Sequence, residues 1–81
     1  MIRAKVYVTL KKGVLDPQGK TVKQALNSLG FAGVEDVRIG KYMEITLDET
    51  SPEEAGKIVT SMCEKLLANT VIEDYQVEVE S

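Results

Sequence analysis

A phosphate-binding loop is the first chemistry that the residue types of this chain suggest. Lys11 and Lys12 precede Gly13, and the run Asp16-Pro17-Gln18-Gly19 then opens a predicted helix. A helix start offers N–H donors and a positive dipole to an anion. However, Asp16 occupies the position that the anion would take, Pro17 removes one donor, and no Gly-rich Lys-Ser/Thr signature is present. A turn with a helix cap is therefore the favoured interpretation, and contact with a ligand is the alternative.

A thiol and two acidic pairs are the other groups with catalytic potential. Cys63 is the single cysteine, and the chain contains no histidine to activate it. Such a thiol on an apolar helix stripe is typical of a core residue. The helix dipole explains Glu53 and Glu54, and solvent exposure explains Glu73 and Asp74. We therefore predict no catalytic residue and no metal site, since an ordinary zinc cluster of His and Cys cannot form.

Two tyrosines raise the question of nucleic-acid binding. Tyr7 and Tyr42 are predicted on strands, and aromatic side chains on an open sheet face stack bases in RNA-recognition modules. The chain has a net charge of -3 and a pI of about 4.9, and it contains no RNP-like run. Because an acidic surface repels phosphate backbones, we expect no nucleic-acid partner.

The elements that position these residues follow from hydrophobic periodicity. Apolar and polar residues alternate from Ile2 to Leu10, which predicts a first strand. Asp16 and Pro17 form a helix-opening pair, with the carboxylate as cap and proline at the first helical position. The helix is expected to run from about Pro17 to Leu29, where Gly30 can end it.

The rest of the chain is predicted to contain three more strands and one more helix. The strands are marked by Val34, Val37 and Ile39, by Met43, Ile45 and Leu47, and by Tyr75, Val77 and Val79. Ser51-Pro52-Glu53-Glu54 is a capping box that begins the second helix, and Asn69 can end it. The apolar stripe of that helix comprises Ala55, Ile58, Val59, Met62, Cys63 and Leu66, with Leu67 beside it.

The order of these elements predicts an α+β fold of the ferredoxin-like βαββαβ type. Residues 1–81 would form a single domain, with a four-stranded antiparallel sheet and two helices on one face. The other face would carry Arg3 and Lys5 against Glu44 and Glu78. These complementary charges suit a solvated surface and a subunit interface equally well.

The connection between the two middle strands is a geometrical difficulty. A two-residue turn at Gly40-Lys41 would place the apolar residues of the two strands on opposite faces. Either the turn is Gly40-Lys41-Tyr42, or another molecule covers the second face. Since the second strand lies at a sheet edge with unpaired backbone groups, we expect a homo-oligomer, either a dimer or a tetramer.

Composition and the first residues indicate the cellular compartment in which the protein functions. The one cysteine allows no disulfide within the chain. No apolar run approaches the roughly 20 residues of a membrane helix. The first residues, Met1 to Lys5, lead into a strand pattern rather than a signal peptide. We therefore expect a soluble, cytoplasmic protein with no membrane partner.

Three segments in this order carry a family resemblance. They are Leu15 to Gly19, Asp36 to Tyr42 and Met62 to Tyr75. In a chain of this length they resemble the small accessory subunit of phosphoribosylformylglycinamidine synthase, the PurS family, and the similarity covers essentially the whole chain. It implies a noncatalytic, homo-oligomeric subunit that holds a glutaminase subunit and a large synthetase subunit together and supports ammonia transfer between them.

The resemblance also implies where the cofactors and the contacts lie. ATP and magnesium belong to the partner synthetase, which converts formylglycinamide ribonucleotide into formylglycinamidine ribonucleotide, and this chain needs no cofactor. The candidate partner contacts are Asp16, Pro17, Gln18, Gly19, Arg38, Gly40, Lys41, Tyr42, Asn69 and Thr70. Backbone conformation can explain the two glycines and the asparagine, and capping can explain the Asp-Pro pair. Arg38, Lys41 and Tyr42 are therefore the stronger contact candidates.

Two other classes of protein share the predicted architecture. A regulatory module of the ACT type binds small ligands between subunits. Such a module is expected to have a Gly-rich loop after its first strand, and Lys12-Gly13-Val14 is a poor match to one. Thermal stabilisation by a ligand would favour it. An acylphosphatase-like enzyme needs an arginine in the first loop, and residues 11–19 contain none. Hydrolysis of an acyl phosphate by the isolated chain would favour that class.

Overall fold

The computed structural model describes residues 1–80 and contains one antiparallel sheet of three strands. Strand β1 is Ile2–Leu10, β2 is Gly40–Leu47 and β3 is Glu73–Glu80. The strand order is β2-β1-β3, so β1 is hydrogen-bonded on both sides. The alternation predicted for the first and last strands is confirmed. Ser81, the last residue of the predicted domain, lies outside the described residues.

One face of the sheet is covered by helix α2, Pro52–Met62, and by the π-helical turn Cys63–Leu67 that follows it. The predicted cap is confirmed, since the Ser51 hydroxyl accepts a hydrogen bond from the Glu54 N–H at 3.3 Å. Apolar side chains that alternate on β1 meet the inner side of α2 and form the core. The buried members of this cluster are Ala4, Val6, Val8, Val59, Cys63 and Ala68.

The π-helical turn changes which leucine reaches the core. The Ala68 N–H bonds to the Cys63 carbonyl at 3.0 Å, which closes a wider ring than an α-helical turn does. Leu67 packs against the core, whereas Leu66 is 83% exposed. The prediction that Leu66 belongs to the apolar stripe is therefore wrong, because α-helical spacing does not hold across this turn.

Helix α1, Pro17–Ser28, does not pack on the sheet. Of its twelve residues, Gly19 is the one that is buried. The Cα radius of gyration is 16.0 Å, whereas a compact chain of this length would have about 12 Å. The expectation of two helices on one sheet face is therefore wrong for the single chain, in which α2 alone covers the core.

The predicted strand over Val34, Val37 and Ile39 does not form, so the sheet has three strands within residues 1–80 rather than four. Strand β2 includes Gly40, Lys41 and Tyr42. Neither the two-residue turn nor the three-residue turn predicted to begin at Gly40 therefore forms. The strands that do form keep the antiparallel order of the predicted fold without its edge strand. The α+β class is confirmed, and the four-stranded sheet is not.

Contacts with the start of α1 explain why the segment 34–39 leaves the sheet. The Ile39 N–H donates to the Asp16 carboxylate at 2.8 Å, where a hairpin would have used a strand partner. The backbone of Val37 lies so close to Gly19 that a β-carbon there would collide with the Val37 carbonyl. In the segment 34–39, these backbone contacts with the start of α1 therefore take the place of strand pairing.

Substituting alanine for Gly19 tests this packing. In most helices the change is stabilising by about 1 kcal/mol, but here the β-carbon would push the segment 34–39 away. We expect Gly19→Ala to lower the free energy of unfolding by about 1–3 kcal/mol, as overpacking does, and to remove the hydrogen-exchange protection of the Ile39 amide.

Gly33→Ala is the matched control, because a β-carbon at Gly33 meets nothing within 4 Å and its φ is not positive. Chemical denaturation and amide exchange measure both variants. Retained protection of Ile39 in Gly19→Ala would contradict the close approach of Val37 to Gly19.

Candidate functional site

Two of the three sequence motifs meet at one corner of the molecule. Residues 16–18 at the start of α1 and residues 39–41 at the start of β2 line a cleft of about 460 Å³. The end of β1 and the side chain of Glu73 complete it. Since these segments are more than twenty residues apart in sequence, the cleft exists because the chain folds back between them.

Asp16 holds the two sides of this corner together. One carboxylate oxygen accepts the Gly19 N–H at 2.9 Å and the other accepts the Ile39 N–H at 2.8 Å. These two backbone hydrogen bonds lower the pKa of Asp16, with the charge of Arg38 adding to the effect. The predicted capping role is confirmed, and the same carboxylate has a second role in anchoring the segment 34–39.

Most of the Asp16–Gly19 motif is structural. Pro17 takes the first position of α1, as predicted. Gly19 is required by the close approach of Val37, and Gly40 by the close approach of the Val8 carbonyl. Neither glycine has a positive φ, so close backbone approach, not turn conformation, explains both. Gln18 is exposed and lines the cleft, where it is available to a partner.

The three stronger contact candidates are exposed but do not converge on one site. Lys41 lines the 460 Å³ cleft, and Arg38 lines a second cleft of about 660 Å³ beside α1. Tyr42 lies on the sheet face opposite α2, where its ring centroid is 5.2 Å from that of Tyr7. They therefore present three neighbouring surfaces around the start of β2.

The third motif forms the turn that leads into β3. The Asn69 N–H donates to the Glu73 carboxylate at 2.6 Å, and the Asn69 side-chain oxygen accepts the Val71 N–H at 3.2 Å. Asn69 is thus explained by this turn, and Thr70 is exposed within it. Glu73, which sequence reasoning assigned to solvent exposure, connects the turn to the 460 Å³ cleft. No sequence signal pointed to that role.

The sheet face opposite α2 carries a charged network. Arg3 and Glu44 form an ion pair at 3.6 Å, as their predicted positions suggested. Lys5 pairs with Glu80 at 2.5 Å instead of with Glu78. Glu78 accepts the Tyr7 hydroxyl at 2.7 Å, and this hydrogen bond raises the pKa of Tyr7. The network is solvent-accessible, so each of its pairs contributes little stability.

Several apolar side chains of α1 and of the residues that follow it are exposed. Leu29 is 74% exposed and Val22 is also exposed, while Phe31 just beyond the helix is 57% exposed. On β2, Met43, Ile45 and Leu47 pack against the core but are only half-buried. Amphipathic spacing predicts that such residues will be covered, and it does not specify by which molecule.

The thiol and the acidic side chains are the remaining groups with catalytic or metal-binding potential. Cys63 is buried in the core, as predicted, and burial raises the pKa of its thiol. Within residues 1–80, no group of three His, Cys, Asp or Glu side chains is placed to hold a metal ion. Neither helix of the described part combines the length and apolarity needed to cross a membrane.

Comparisons with known proteins give one family. Residues 3–81 match the model of PurS, phosphoribosylformylglycinamidine (FGAM) synthase. The chain is 60% identical over 80 residues to the FGAM synthase subunit PurS of Bacillus subtilis, covering 99% of this chain and 94% of that protein. It is 46% identical over 80 residues to the PurS subunit of Methanocaldococcus jannaschii, covering 99% and 96%.

Solved structures give the same result. The crystal structure of Methanocaldococcus jannaschii PurS has a TM-score of 0.90 at 47% identity, covering 100% of this chain and 98% of that chain. That protein is described as one of the subunits of formylglycinamide ribonucleotide amidotransferase in the purine biosynthetic pathway. A chain in the structure of PurLQS from Thermotoga maritima has a TM-score of 0.86 at 30% identity, covering 99% of both chains.

The hydrogen bonds of Asp16 predict a pH dependence at the corner. Because the pKa of Asp16 in the folded protein lies below its value of about 3.9 in an unfolded chain, its stabilising effect is complete above about pH 4. The effect is lost as the pH falls through the folded-state pKa. We expect the Gly19 and Ile39 amide shifts to titrate together with a midpoint below 3.9 when followed by NMR.

Asp16→Asn is the control, since its side chain does not titrate and can present one acceptor oxygen to the two N–H groups. Its Ile39 amide should exchange faster at neutral pH and show no such midpoint. A midpoint at or above that of an unfolded aspartate in the wild-type protein would show that the carboxylate does not hold these donors.

Proposed function

The chain belongs to the PurS family, and we propose that it serves as the small accessory subunit of FGAM synthase in purine biosynthesis. In this proposal it makes and breaks no bonds. It assembles a glutaminase subunit and a large synthetase subunit in the cytoplasm, and the synthetase supplies the ATP and Mg²⁺ chemistry. The likeness to a chain of the PurLQS structure supports a role within a complex.

The uncovered apolar surface of α1 is the observation that carries this proposal. Exposed leucine, valine and phenylalanine side chains along α1 and its end, together with the half-buried side chains of β2, are surfaces that a single chain leaves in contact with water. Exposed apolar surfaces of this kind mark protein interaction sites. A subunit whose function is assembly needs such surfaces, whereas a catalyst needs converging reactive groups.

We infer that a second copy of the chain covers part of this surface. The molecule measures 49 × 25 × 14 Å, so α1 extends beyond the sheet that it fails to cover. In a symmetric pair, α1 of each copy can lie against the β2 side of its partner and supply the layer that the single chain lacks. Burial of Leu29 would be worth about 1.5–3 kcal/mol per copy.

Ammonia transfer is the functional consequence that we propose for the assembly. Ammonia released by a glutaminase is lost to solvent unless the two active sites are held together on a protected path. An adaptor that fixes their relative position raises the effective concentration of ammonia at the synthetase. It affects turnover with glutamine more than turnover with free ammonium, which does not need the path.

A reconstitution assay tests the coupling role. Purified glutaminase and synthetase subunits are assayed with and without this chain, using either glutamine or ammonium chloride as the nitrogen source. We expect omission of the chain to reduce glutamine-dependent turnover at least tenfold and to affect ammonium-dependent turnover much less. Equal loss with both nitrogen sources would contradict a coupling role, as would full glutamine-dependent activity without the chain.

Sedimentation of the isolated chain tests the homo-oligomer. We expect a dimer or tetramer at micromolar concentration, and Leu29→Gln should weaken it at least tenfold because a buried apolar contact is replaced by an amide.

Leu66→Gln is the matched control, since Leu66 is similarly exposed but lies on the π-helical turn, away from α1. A monomeric wild-type chain, or equal dissociation by both variants, would rule out the proposed role of α1.

A further inference from the structure

The cleft of about 660 Å³ beside α1 concentrates positive charge on an acidic protein. Five of the ten Lys and Arg side chains of the chain line it, together with two of the thirteen carboxylates. The cations are Lys11, Lys12, Lys20, Lys23 and Arg38, and the carboxylates are Asp16 and Asp36. The remainder of the chain is correspondingly more acidic than its net charge of -3 suggests.

None of these cations forms an ion pair within residues 1–80. The ion pairs of residues 1–80 involve Arg3, Lys5 and Lys57, all outside the cleft. Arg38 is exposed, and its charge lowers the pKa of Asp16, whose oxygens are engaged by backbone donors. Gathering like charges without partners costs free energy, so a cluster of this kind indicates an anionic partner.

The donors and cations that line the cleft favour an acidic protein surface over a phosphate group as its ligand. Compact phosphate sites use backbone N–H donors at a helix start. Here the Gly19 N–H is taken by Asp16, and Pro17 has no donor. The lysines stand on flexible side chains from the β1–α1 loop and α1, and Arg38 comes from the segment that Asp16 anchors. Cations spread in this way match several separate carboxylates.

We propose that this basic cleft binds an acidic segment, rich in Asp and Glu, on a partner subunit of the synthase complex. The inference rests on the proposed function and adds to it the surface of contact and its chemistry. The cleft steers and orients the partner electrostatically, while apolar surfaces elsewhere supply burial. Because Asp16 sets the position of Arg38, the structural motif at residues 16–19 also shapes the binding surface.

Charge reversal tests the proposal in the reconstituted complex. Lys12→Glu combined with Lys20→Glu removes two exposed cleft cations and replaces them with carboxylates. Affinity for the glutaminase and synthetase subunits, measured by analytical ultracentrifugation or interferometry, should fall on the order of tenfold or more at low salt. The difference from wild type should shrink as salt screens the interaction.

Lys57→Glu combined with Lys65→Glu is the matched control, because it makes the same charge change on exposed residues of α2 and the π-helical turn. Equal loss of affinity in both double variants, or none in the cleft variant, would overturn the proposal. Failure of the wild-type chain to bind the subunits or to support glutamine-dependent turnover would instead overturn the proposed function itself. An unchanged far-UV spectrum verifies that each variant folds.

Two further measurements test for other occupants of the cleft, namely a phosphate group and a second copy of the chain. Inorganic phosphate is titrated into the wild-type chain while the amide shifts of Lys20 and Arg38 are followed, and saturable shifts below a few millimolar would favour a phosphate site. Sedimentation of the cleft variant alone detects a second copy as the occupant. Dissociation of the homo-oligomer by the cleft substitutions would overturn the assignment to a partner subunit.

Discussion

The buried face of β1 is the constraint on which the rest of the fold depends. β1 is hydrogen-bonded to both other strands, and Ala4, Val6 and Val8 along it are essentially inaccessible to water. α2 supplies Val59 and Cys63 as the opposite wall of this core. Among the described residues, α1 contributes none to this core cluster, and several apolar side chains of α1 and its end remain exposed.

The second constraint is the carboxylate of Asp16. A single side chain satisfies an orphan donor at the start of α1 and a donor of the segment 34–39. The resulting corner forms the wall between two clefts, one lined by Lys41 and Glu73 and the other by the basic residues around Arg38. The helix cap Asp16 therefore also shapes the surfaces on both sides of this corner.

Assembly explains features that are unfavourable in an isolated chain. Leucine and phenylalanine side chains exposed to water favour association. Cations that share one cleft and form no ion pair within residues 1–80 repel one another. Both become favourable when a second surface supplies apolar contact or carboxylates. The proposed role as an adaptor thus accounts for the apolar and charged surfaces by one physical requirement.

Much of this protein was predictable from local pattern. Alternation identified β1 and β3, the Asp-Pro and Ser-Pro pairs located both helix starts, and the motifs identified the family. These signals depend on neighbours within a few residues. Local pattern fails at the segment 34–39, whose alternation predicts a strand. The segment forms no strand because its backbone contacts Asp16 and Gly19, which lie about twenty residues earlier in the sequence. Leu66 and Leu67 exchanged roles for a similar reason, since a π-helical turn is not visible in residue types.

The sequence alone therefore determined β1, α1, β2, α2 and β3 in their order, although it also suggested a strand at 34–39 that does not form. It further determined the absence of His, the single Cys and the family to which the chain belongs. The tertiary structure decided that the sheet has three strands within the described residues, that α1 stands away from it, and that five cations share one cleft. The physical reason is that periodicity shows which side of an element avoids water, whereas only packing in three dimensions shows what covers that side.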